Sequence, residues 1–146
     1  MAAQDDAPAT VLAYHLVAAG VGTGPAGALP WAVYWNKDPQ APDQVLVVKD
    51  TGADQDGRDH RTGDYVQHPT VQVTVRAKTQ DVAKAKARAV VEVLKGLRNT
   101  VVTVGPHTYR VAGFHLTTGV TPIGVEEQGT RELVVFNGRT TLTQLT

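Results

Sequence analysis

Apolar and polar residues follow two different periods along the chain, and each period predicts a different kind of element. In residues 70–76, valines alternate with polar residues, which is the two-residue period of a strand that buries one face. A helix is predicted next, over residues 80–97, with Thr79 as its N-cap. Its apolar stripe recurs at helical spacing and comprises Ala83, Ala87, Val90, Leu94 and Leu97.

Weaker patterns predict a further helix and five more strands. The helix has Asp6 as N-cap and Pro8 in its first turn, followed by an apolar face of Val11, Leu12, Leu16 and Val17. Aromatic, β-branched and apolar runs predict strands at residues 31–35, 44–49, 99–104, 109–114 and 132–137. The third and fourth of these form a hairpin around residues 105–108.

Two stretches show neither period and are predicted to be loops. Residues 50–68 are rich in Gly and Asp, which indicates a long, exposed and mobile loop. Residues 115–130 are rich in Thr, Gly and Pro and indicate a second loop. We expect flexible ends at residues 1–6 and 140–146. The whole pattern predicts one α+β domain over residues 1–146, with a mixed β-sheet flanked by two helices and a C-terminal strand.

Charge is balanced overall but unevenly distributed. The 146 residues have a formal net charge of zero, which argues against a general nucleic-acid binder or a surface for anionic lipid. Residues 1–69 hold 4 basic and 9 acidic residues, whereas residues 70–146 hold 10 and 5. Opposite charges on opposite surfaces would suit head-to-tail association of copies. The alternative is that the charges scatter over the folded surface.

Targeting segments are not evident in the sequence. No apolar run approaches the roughly 20 residues that span a bilayer. The chain opens with acidic residues, Asp5 and Asp6, where a secretory signal would carry basic ones. We therefore expect a soluble protein without its own export signal.

The sequence contains no convincing catalytic or metal-binding motif. The chain contains neither cysteine nor serine, which excludes thiol and serine nucleophiles. An EF-hand frame with Gly57 in sixth place puts Gly52 first and Gly63 last, where acidic ligands are required. The five histidines show no metal-ligand spacing, and the glycines of residues 20–24 do not form a phosphate loop. We therefore predict no catalytic residue, no cofactor and no metal, and no enzymatic activity.

Two features leave room for a binding function. The helix over residues 80–97 and its C-terminal flank carry Lys84, Lys86, Arg88, Lys95 and Arg98. These side chains could contact phosphate, but no aromatic stacking residues accompany them, and a solvated helix face is the alternative. Trp31 and Trp35 fall on one strand face and are interpreted as core or interface anchors.

The order of the motifs carries a resemblance that covers residues 9–139. Its local features are Pro42-Asp43 before an apolar strand, His68-Pro69 running through strand 70–76 into an alanine-rich helix, Tyr109 in a hairpin, and residues 121–131 before the last strand. In this order the chain resembles the tail terminator family of long-tailed bacteriophages, often described as minor capsid or tail completion proteins. One departure is Gly129-Thr130-Arg131, where the family often has Gly directly before Arg.

The resemblance implies a mechanical role in the virion. Members of the family form hexameric rings on the last ring of tail tube protein, stop its polymerisation and present the docking surface for the head. The implied partners are further copies of the chain in a homo-hexameric ring, the tail tube protein, a head completion or connector protein, and genomic DNA that passes through the lumen without sequence-specific binding. The implied location is the head-proximal end of the virion tail, after assembly in the host bacterial cytoplasm.

Charge pairs between neighbouring copies are expected to contribute to such a ring. The candidate subunit or tube interface residues are Arg58, Arg61, Arg76, Arg88, Glu126, Glu127 and Arg131. Two alternatives stay open, namely another head–tail connector component, such as a stopper or adaptor, and a small nucleic-acid-binding α+β module that uses the basic helix. A ring would favour the first group, and a monomer with salt-sensitive DNA affinity would favour the last.

Overall fold

The computed structural model describes residues 6–22, 31–37, 43–58, 65–125 and 131–145 of the chain. Its elements in chain order are α1 (Pro8–Ala18), β1 (Ala32–Trp35), β2 (Val45–Arg58), β3 (Tyr65–Ala77), α2 (Gln80–Lys95), β4 (Thr100–Val104), β5 (His107–Val125) and β6 (Glu132–Gln144). This order confirms the prediction of an α+β domain with two helices and one mixed sheet.

The six strands form a single sheet in the order β1-β2-β3-β6-β5-β4. Only the β1–β2 pair is parallel, and the other four pairs are antiparallel. Strand β3 lies near the centre, where Val73 is opposite Val48 of β2 and Phe136 of β6. Long-range pairing of this kind holds the two halves of the chain in one sheet.

Both helices cover the same face of the sheet. The alternating valines of β3, Val71, Val73 and Val75, are fully buried in one core with residues from α1 and α2. Helix α2 contacts β3, β5 and β6, while α1 contacts β1 and β2 at one side of the sheet and β4 at the other. Because one helix reaches strands from both sides, the sheet curls around its helices.

The predicted second helix is confirmed with its cap and its buried stripe. The hydroxyl oxygen of Thr79 accepts a hydrogen bond from the Val82 N–H at 3.3 Å, and Asp81 lies near the positive end of the helix. All five residues of the predicted stripe are buried. The helix ends at Lys95, so Leu97 lies just beyond it but remains in the core.

The first helix is confirmed, but its predicted N-cap is wrong. The N-cap residue is Ala7, which has no capping side chain. The missing acceptor comes from Asp50 on β2, whose Oδ1 accepts the Ala9 N–H at 2.9 Å. Asn36 holds Asp50 in place, because its side-chain amide donates to Asp50 Oδ2 at 2.7 Å and its Oδ1 accepts the Asp50 N–H at 2.9 Å. Asp6 instead accepts a hydrogen bond from the Tyr109 hydroxyl at 2.5 Å.

The predicted loop over residues 50–68 is wrong for most of its length. Strand β2 continues to Arg58, which pairs with Tyr65 at the start of β3, so these residues form a long hairpin. The remaining part of that prediction, residues 59–64, lies outside the described residues. Backbone hydrogen bonds between β2 and β3 stabilise this hairpin, although the pattern of its side chains does not predict strands.

The second predicted loop and the flexible C-terminal end are also wrong where they are described. Strand β5 runs through to Val125, and β6 runs through to Gln144, with Leu142 only 1% exposed. Residues 1–5, 126–130 and 146 lie outside the described residues. The predicted β4–β5 hairpin is confirmed, and Gly105, at φ +57, takes the left-handed conformation that its two-residue turn requires.

The one-sided core predicts a strong difference between two identical substitutions. Val73→Asp puts a carboxylate into the fully buried face of β3, and we expect it to cost several kcal/mol of unfolding free energy. Val101→Asp makes the same change on β4, where the side chain is 56% exposed, and should cost within about 1 kcal/mol. Chemical denaturation of both variants measures the difference, and equal losses would contradict the assignment of the core face.

The substitute cap on α1 predicts that Asp50 stabilises a helix on which it does not lie. Asp50→Ala removes the side-chain acceptor of the Ala9 N–H and of the Asn36 amide, while the backbone N–H of residue 50 can still donate to Asn36; the loss should lower the unfolding free energy by about 1–3 kcal/mol. Asp81→Ala is the control, because Asp81 is exposed in the first turn of α2 and should contribute only about 0.3–1 kcal/mol. Thermal melts that rank Asp81→Ala as the more damaging change would contradict this role.

Candidate assembly surfaces

Two strands extend beyond their outer neighbours and leave open edges on the sheet. Strand β1 pairs with β2 only as far as Val48, and among the described strands residues 51–58 have β3 as their single neighbour. Strand β4 pairs with β5 only as far as Val111, and residues 113–125 likewise have only β6 beside them. We call these segments the β2 edge and the β5 edge.

The two edges lie on opposite sides of the sheet and extend toward opposite ends of it. The β2 edge extends to the end where β3 begins and β6 finishes, since Gln67 pairs with Leu142. The β5 edge begins near the row of Gly52, Thr70 and Arg139, where His115 lies, and extends to the other end, where Val125 pairs with Glu132. The antiparallel pairs between them make β2 and β5 run in opposite directions. One copy therefore offers two different edges with opposite strand sense.

The β5 edge combines apolar side chains with interruptions of its regular pairing. Ile123 and Val125 are each 56% exposed. The pairing of β5 with β6 has four register irregularities, which bend a strand and increase its twist. Pro122 removes one backbone donor. Features of this kind restrict the partners with which an open edge can pair.

The sequences of the two edges differ in charge. The β2 edge contains Asp54, Asp56 and one basic residue, Arg58, whereas residues 113–125 contain no Lys, Arg, Asp or Glu. Like charges directly opposite each other destabilise paired strands. Pairing of the β2 edge with its own copy is therefore disfavoured, and pairing with an uncharged edge is not.

The sheet face that turns away from the helices has two zones. Near the start of β2 it is buried, with Val45, Val47 and Val135 all at 8% exposure or less. Toward the β2 edge it is polar, with side chains that are partly or fully exposed, and we call this zone the open face. Strand register assigns to it Lys49, His68, Thr70, Gln72, Arg110, His115, Asn137, Arg139 and Thr141.

The predicted interface residues do not converge on one described site. Arg76 is buried, at 6% exposure, and is not available on the surface of a single copy. Arg131 is half-buried and pairs with Asp43 at 3.8 Å, and the same carboxylate pairs with Lys78 at 3.5 Å. Register places Arg76 and Arg131 at the same end of the sheet, because Arg76 is opposite Leu133. Both arginines therefore lie within or against their own subunit, Arg76 by burial and Arg131 by its ion pair with Asp43.

The other candidates lie apart from this pair. Arg88 is exposed on α2, and Arg58 is the last residue of the β2 edge. Arg61, Glu126 and Glu127 lie outside the described residues. The interface role of the whole set stays a prediction.

The tryptophans lie at the margin of the core, half-buried against it. The ring of Trp35 lies 5.6 Å from that of Tyr14 on α1, and the Lys86 ammonium lies 5.1 Å from the centre of the Trp31 ring, which is cation–π distance. Burial lowers the pKa of Lys86, and burial also lowers the pKa of His15 on α1. These contacts attach α1, α2 and β1 to one another and present no catalytic geometry.

The described part of the chain shows no candidate metal-binding site. There, no group of three or more His, Asp or Glu side chains is arranged to hold an ion. Within the same residues, neither helix is long and apolar enough to cross a membrane.

Both open edges were missed in the sequence, for the same reason. Residues 51–58 and 113–125 are rich in turn-forming residues and lack a sustained two-residue alternation, so their pattern did not predict strands. The β-branched residues of the second segment, such as Thr117, Thr118, Val120 and Thr121, were the available signal for a strand.

A curled mixed sheet with both helices on one face defines an α+β protein whose sheet is open along two edges. Residues 15–136 match the family described as bacteriophage tail terminator protein. The chain belongs to this family, which confirms the resemblance seen in its motifs. It is a structural protein of the phage virion.

Solved structures support the fold. A chain from the virion of a native gene transfer agent particle is 20% identical, with a TM-score of 0.51, over 94% of this chain and 95% of its own. A second solved chain is 18% identical over 78% of this chain and 79% of its own, and its TM-score of 0.39 is too low to support a comparison of folds. Among curated proteins, none matches the sequence.

Proposed function

We propose that this protein closes a ring of identical copies on the end of the phage tail tube, stops tube polymerisation and presents the surface on which the head docks. Membership of the tail terminator family supports the position at the tail end. The observation that supports a ring is the pair of unlike open edges on opposite sides of one sheet. On this proposal the partners are further copies of the chain, the tube protein and a head connector protein, and the protein is not an enzyme.

Unlike edges favour a ring over a two-fold dimer. A contact between two different surfaces repeats from copy to copy and ends only when the rotation closes. If the β2 edge of one copy joins the β5 edge of the next and both copies have the same orientation, the joined strands are antiparallel, since β2 and β5 run in opposite directions. The contact between copies is then antiparallel, as are four of the five strand pairs within the subunit.

The positions of the edges also suit closure. Because the edges extend toward opposite ends of the sheet, joined copies are displaced along the strand direction. A closed sheet accommodates such a stagger when its strands tilt relative to the ring axis. The displacement between joined copies is therefore compatible with a closed ring, because closed sheets contain a stagger of the same kind.

Strand pairing, rather than isolated ion pairs, supplies most of the interface in this arrangement. Exposed ion pairs contribute about 0–1 kcal/mol each, so Arg88 and the charged candidates outside the described residues adjust the ring rather than create it. Exposed Ile123 and Val125 on the β5 edge add apolar area that association would bury.

Paired substitutions on the β5 edge test the ring. Ile123→Asp with Val125→Asp puts two carboxylates on an edge that would meet acidic sequence, and we expect native mass spectrometry to show monomers where the wild type shows rings. Ile123→Lys with Val125→Lys puts opposite charge there and should retain rings. Val82→Asp with Val101→Asp is the control, because both side chains are exposed but lie on α2 and β4, and it should also retain rings.

The same variants test tail termination in cells that produce the particles. Without a functional protein, electron microscopy should show headless tails of uncontrolled length beside DNA-filled heads without tails, and the aspartate pair should behave in the same way. Tails of normal length joined to heads in the complete absence of the protein would contradict the terminator role. Wild-type protein that is a dimer, or an aspartate pair that forms rings as well as the wild type, would contradict the edge-to-edge ring.

A further inference from the structure

We propose that each copy of this chain receives the apolar end of its neighbour's β5 edge on an aromatic patch, which consists of Tyr14 and Ala18 of α1 and Trp35 of β1. Val125 of the neighbouring copy, with Ile123 near it in sequence, is the group that the patch covers. The contact rests on the proposed function, because it needs neighbouring copies. It adds to strand pairing a side-chain contact that fixes how far the two edges overlap.

Helix α1 differs from an ordinary surface helix because it carries no charged group. It contains no Lys, Arg, Asp or Glu, and burial lowers the pKa of His15, so that this side chain is neutral at neutral pH. Tyr14 and Ala18, one turn apart, are nevertheless exposed. A helix that is apolar all round is normally covered all round. The exposed side of α1 is therefore a surface that fits a further contact.

Trp35 extends this apolar surface from α1 onto β1. The centres of the Trp35 and Tyr14 rings are 5.6 Å apart, with 54° between their planes. Trp35 is half-buried and Tyr14 is 40% exposed. Tryptophan and tyrosine are enriched at the energetic centres of protein interfaces, since they bury a large rigid area at low cost in side-chain entropy. The pair is thus suited to anchor an apolar side chain of a partner.

The aromatic patch ends where the β2 edge begins. Asn36 follows Trp35 and is joined to Asp50 by two hydrogen bonds, of 2.7 and 2.9 Å, and Thr51 next to Asp50 is the first residue of the β2 edge. Trp35 is opposite Val48, a core residue beneath the helices, so its side chain points to the helix side of the sheet. A copy that pairs with the β2 edge therefore comes alongside the patch.

The end of the β5 edge has the position and the orientation that this contact requires. Since β2 and β5 run in opposite directions, pairing of the two edges brings the end of β5 beside the start of the β2 edge. Val125 is opposite Glu132, which shares a face of β6 with the core residues Val134 and Phe136. Val125 therefore points to the helix side, as Trp35 does.

The exposed apolar side chains of the subunit support the same pairing. In the described part of the chain six large hydrophobic side chains are exposed, and Tyr14, Ile123 and Val125 are three of them. A single exposed apolar side chain needs no explanation. Here, however, the exposed groups lie at two places that pairing of the edges would bring together, and covering them removes apolar area from water in both copies. A second copy is thus the occupant that the patch fits.

A charge-swap series tests the contact through ring assembly. Tyr14→Lys and Val125→Glu each put a charge into it. In native mass spectrometry over a dilution series, each should raise the concentration needed for rings by about tenfold or more, which is the loss typical of an interface anchor. Tyr14→Lys with Val125→Glu in one chain places opposite charges at every contact, and should bring that concentration back to within about threefold of the wild type.

Three control variants match the substitutions of this series. Tyr14→Lys with Val125→Lys places like charges at the contact and should not recover, although lysine at Val125 alone is tolerated because an ammonium group can lie over the aromatic rings. Val82→Lys changes a side chain of α2 that is 41% exposed, close to the 40% of Tyr14, and should assemble like the wild type. Val82→Lys with Val125→Glu should assemble no better than Val125→Glu alone.

Tryptophan fluorescence gives a second measurement that needs no change at Tyr14, in case the lysine variant does not fold, which a thermal melt shows. The chain contains two tryptophans, so Trp31→Phe leaves Trp35 as the single emitter. We expect its emission to shift to shorter wavelength and its quenching by acrylamide to decrease when rings form, because the neighbouring copy covers the ring.

The outcomes separate this contact from the ring itself. Rings that form as readily in Tyr14→Lys as in the wild type, a charge-swap pair no better than its weaker single variant, or Trp35 emission that is unchanged by assembly would overturn this contact and leave the proposed ring in place. A patch that another virion protein covers would also give normal rings in Tyr14→Lys, and so would exclude a second copy as the occupant. Wild-type protein without rings would remove the proposed function and, with it, the neighbour that this contact requires.

Discussion

Two helices bury only one face of a six-stranded sheet, and the rest of the molecule follows from this one-sided core. The buried valines of β3 alternate with polar residues, so that the strand has one side for the helices and one side for other contacts. Since α1 reaches strands at both sides of the sheet, the sheet curls around the core. The other face of the sheet carries polar and cationic side chains in its open zone toward the β2 edge.

Unequal strand lengths are the second determinant of the assembly surfaces. The outermost strands β1 and β4 have 4 and 5 residues, whereas β2 and β5 beside them have 14 and 19. An outer strand that ends early exposes the backbone of its neighbour. Because the short strands cover opposite ends of the sheet, the open edges extend toward opposite ends. Edges and open face thus arise from the same arrangement of strands.

The core was predictable from the sequence because it depends on local periodicity. The β3 alternation and the α2 stripe appear directly in the spacing of valine, alanine and leucine, and Thr79 marks the start of its helix. The cap of α1 was not predictable, because Asp50 is 41 residues away from the N–H that it accepts. The edges were missed because their sequences lack a sustained two-residue alternation. The buried position of Arg76 depends on tertiary packing that residue type does not reveal.

Disulfide trapping between the two edges tests the central claim most directly, and the chain contains no cysteine of its own that could interfere. Cysteine at Thr51 on the β2 edge is combined in turn with cysteine at Thr117, Thr121 or Ile123 on the β5 edge. A disulfide requires Cβ atoms about 3.5–4.5 Å apart, so only the combination in the correct register should cross-link. The account predicts that one combination gives a ladder of covalent oligomers that ends at a closed ring, while the corresponding single-cysteine variants stay monomeric in denaturing gels. Cross-linked dimers from Thr51→Cys alone, or no ladder from any combination in assembled protein, would contradict it.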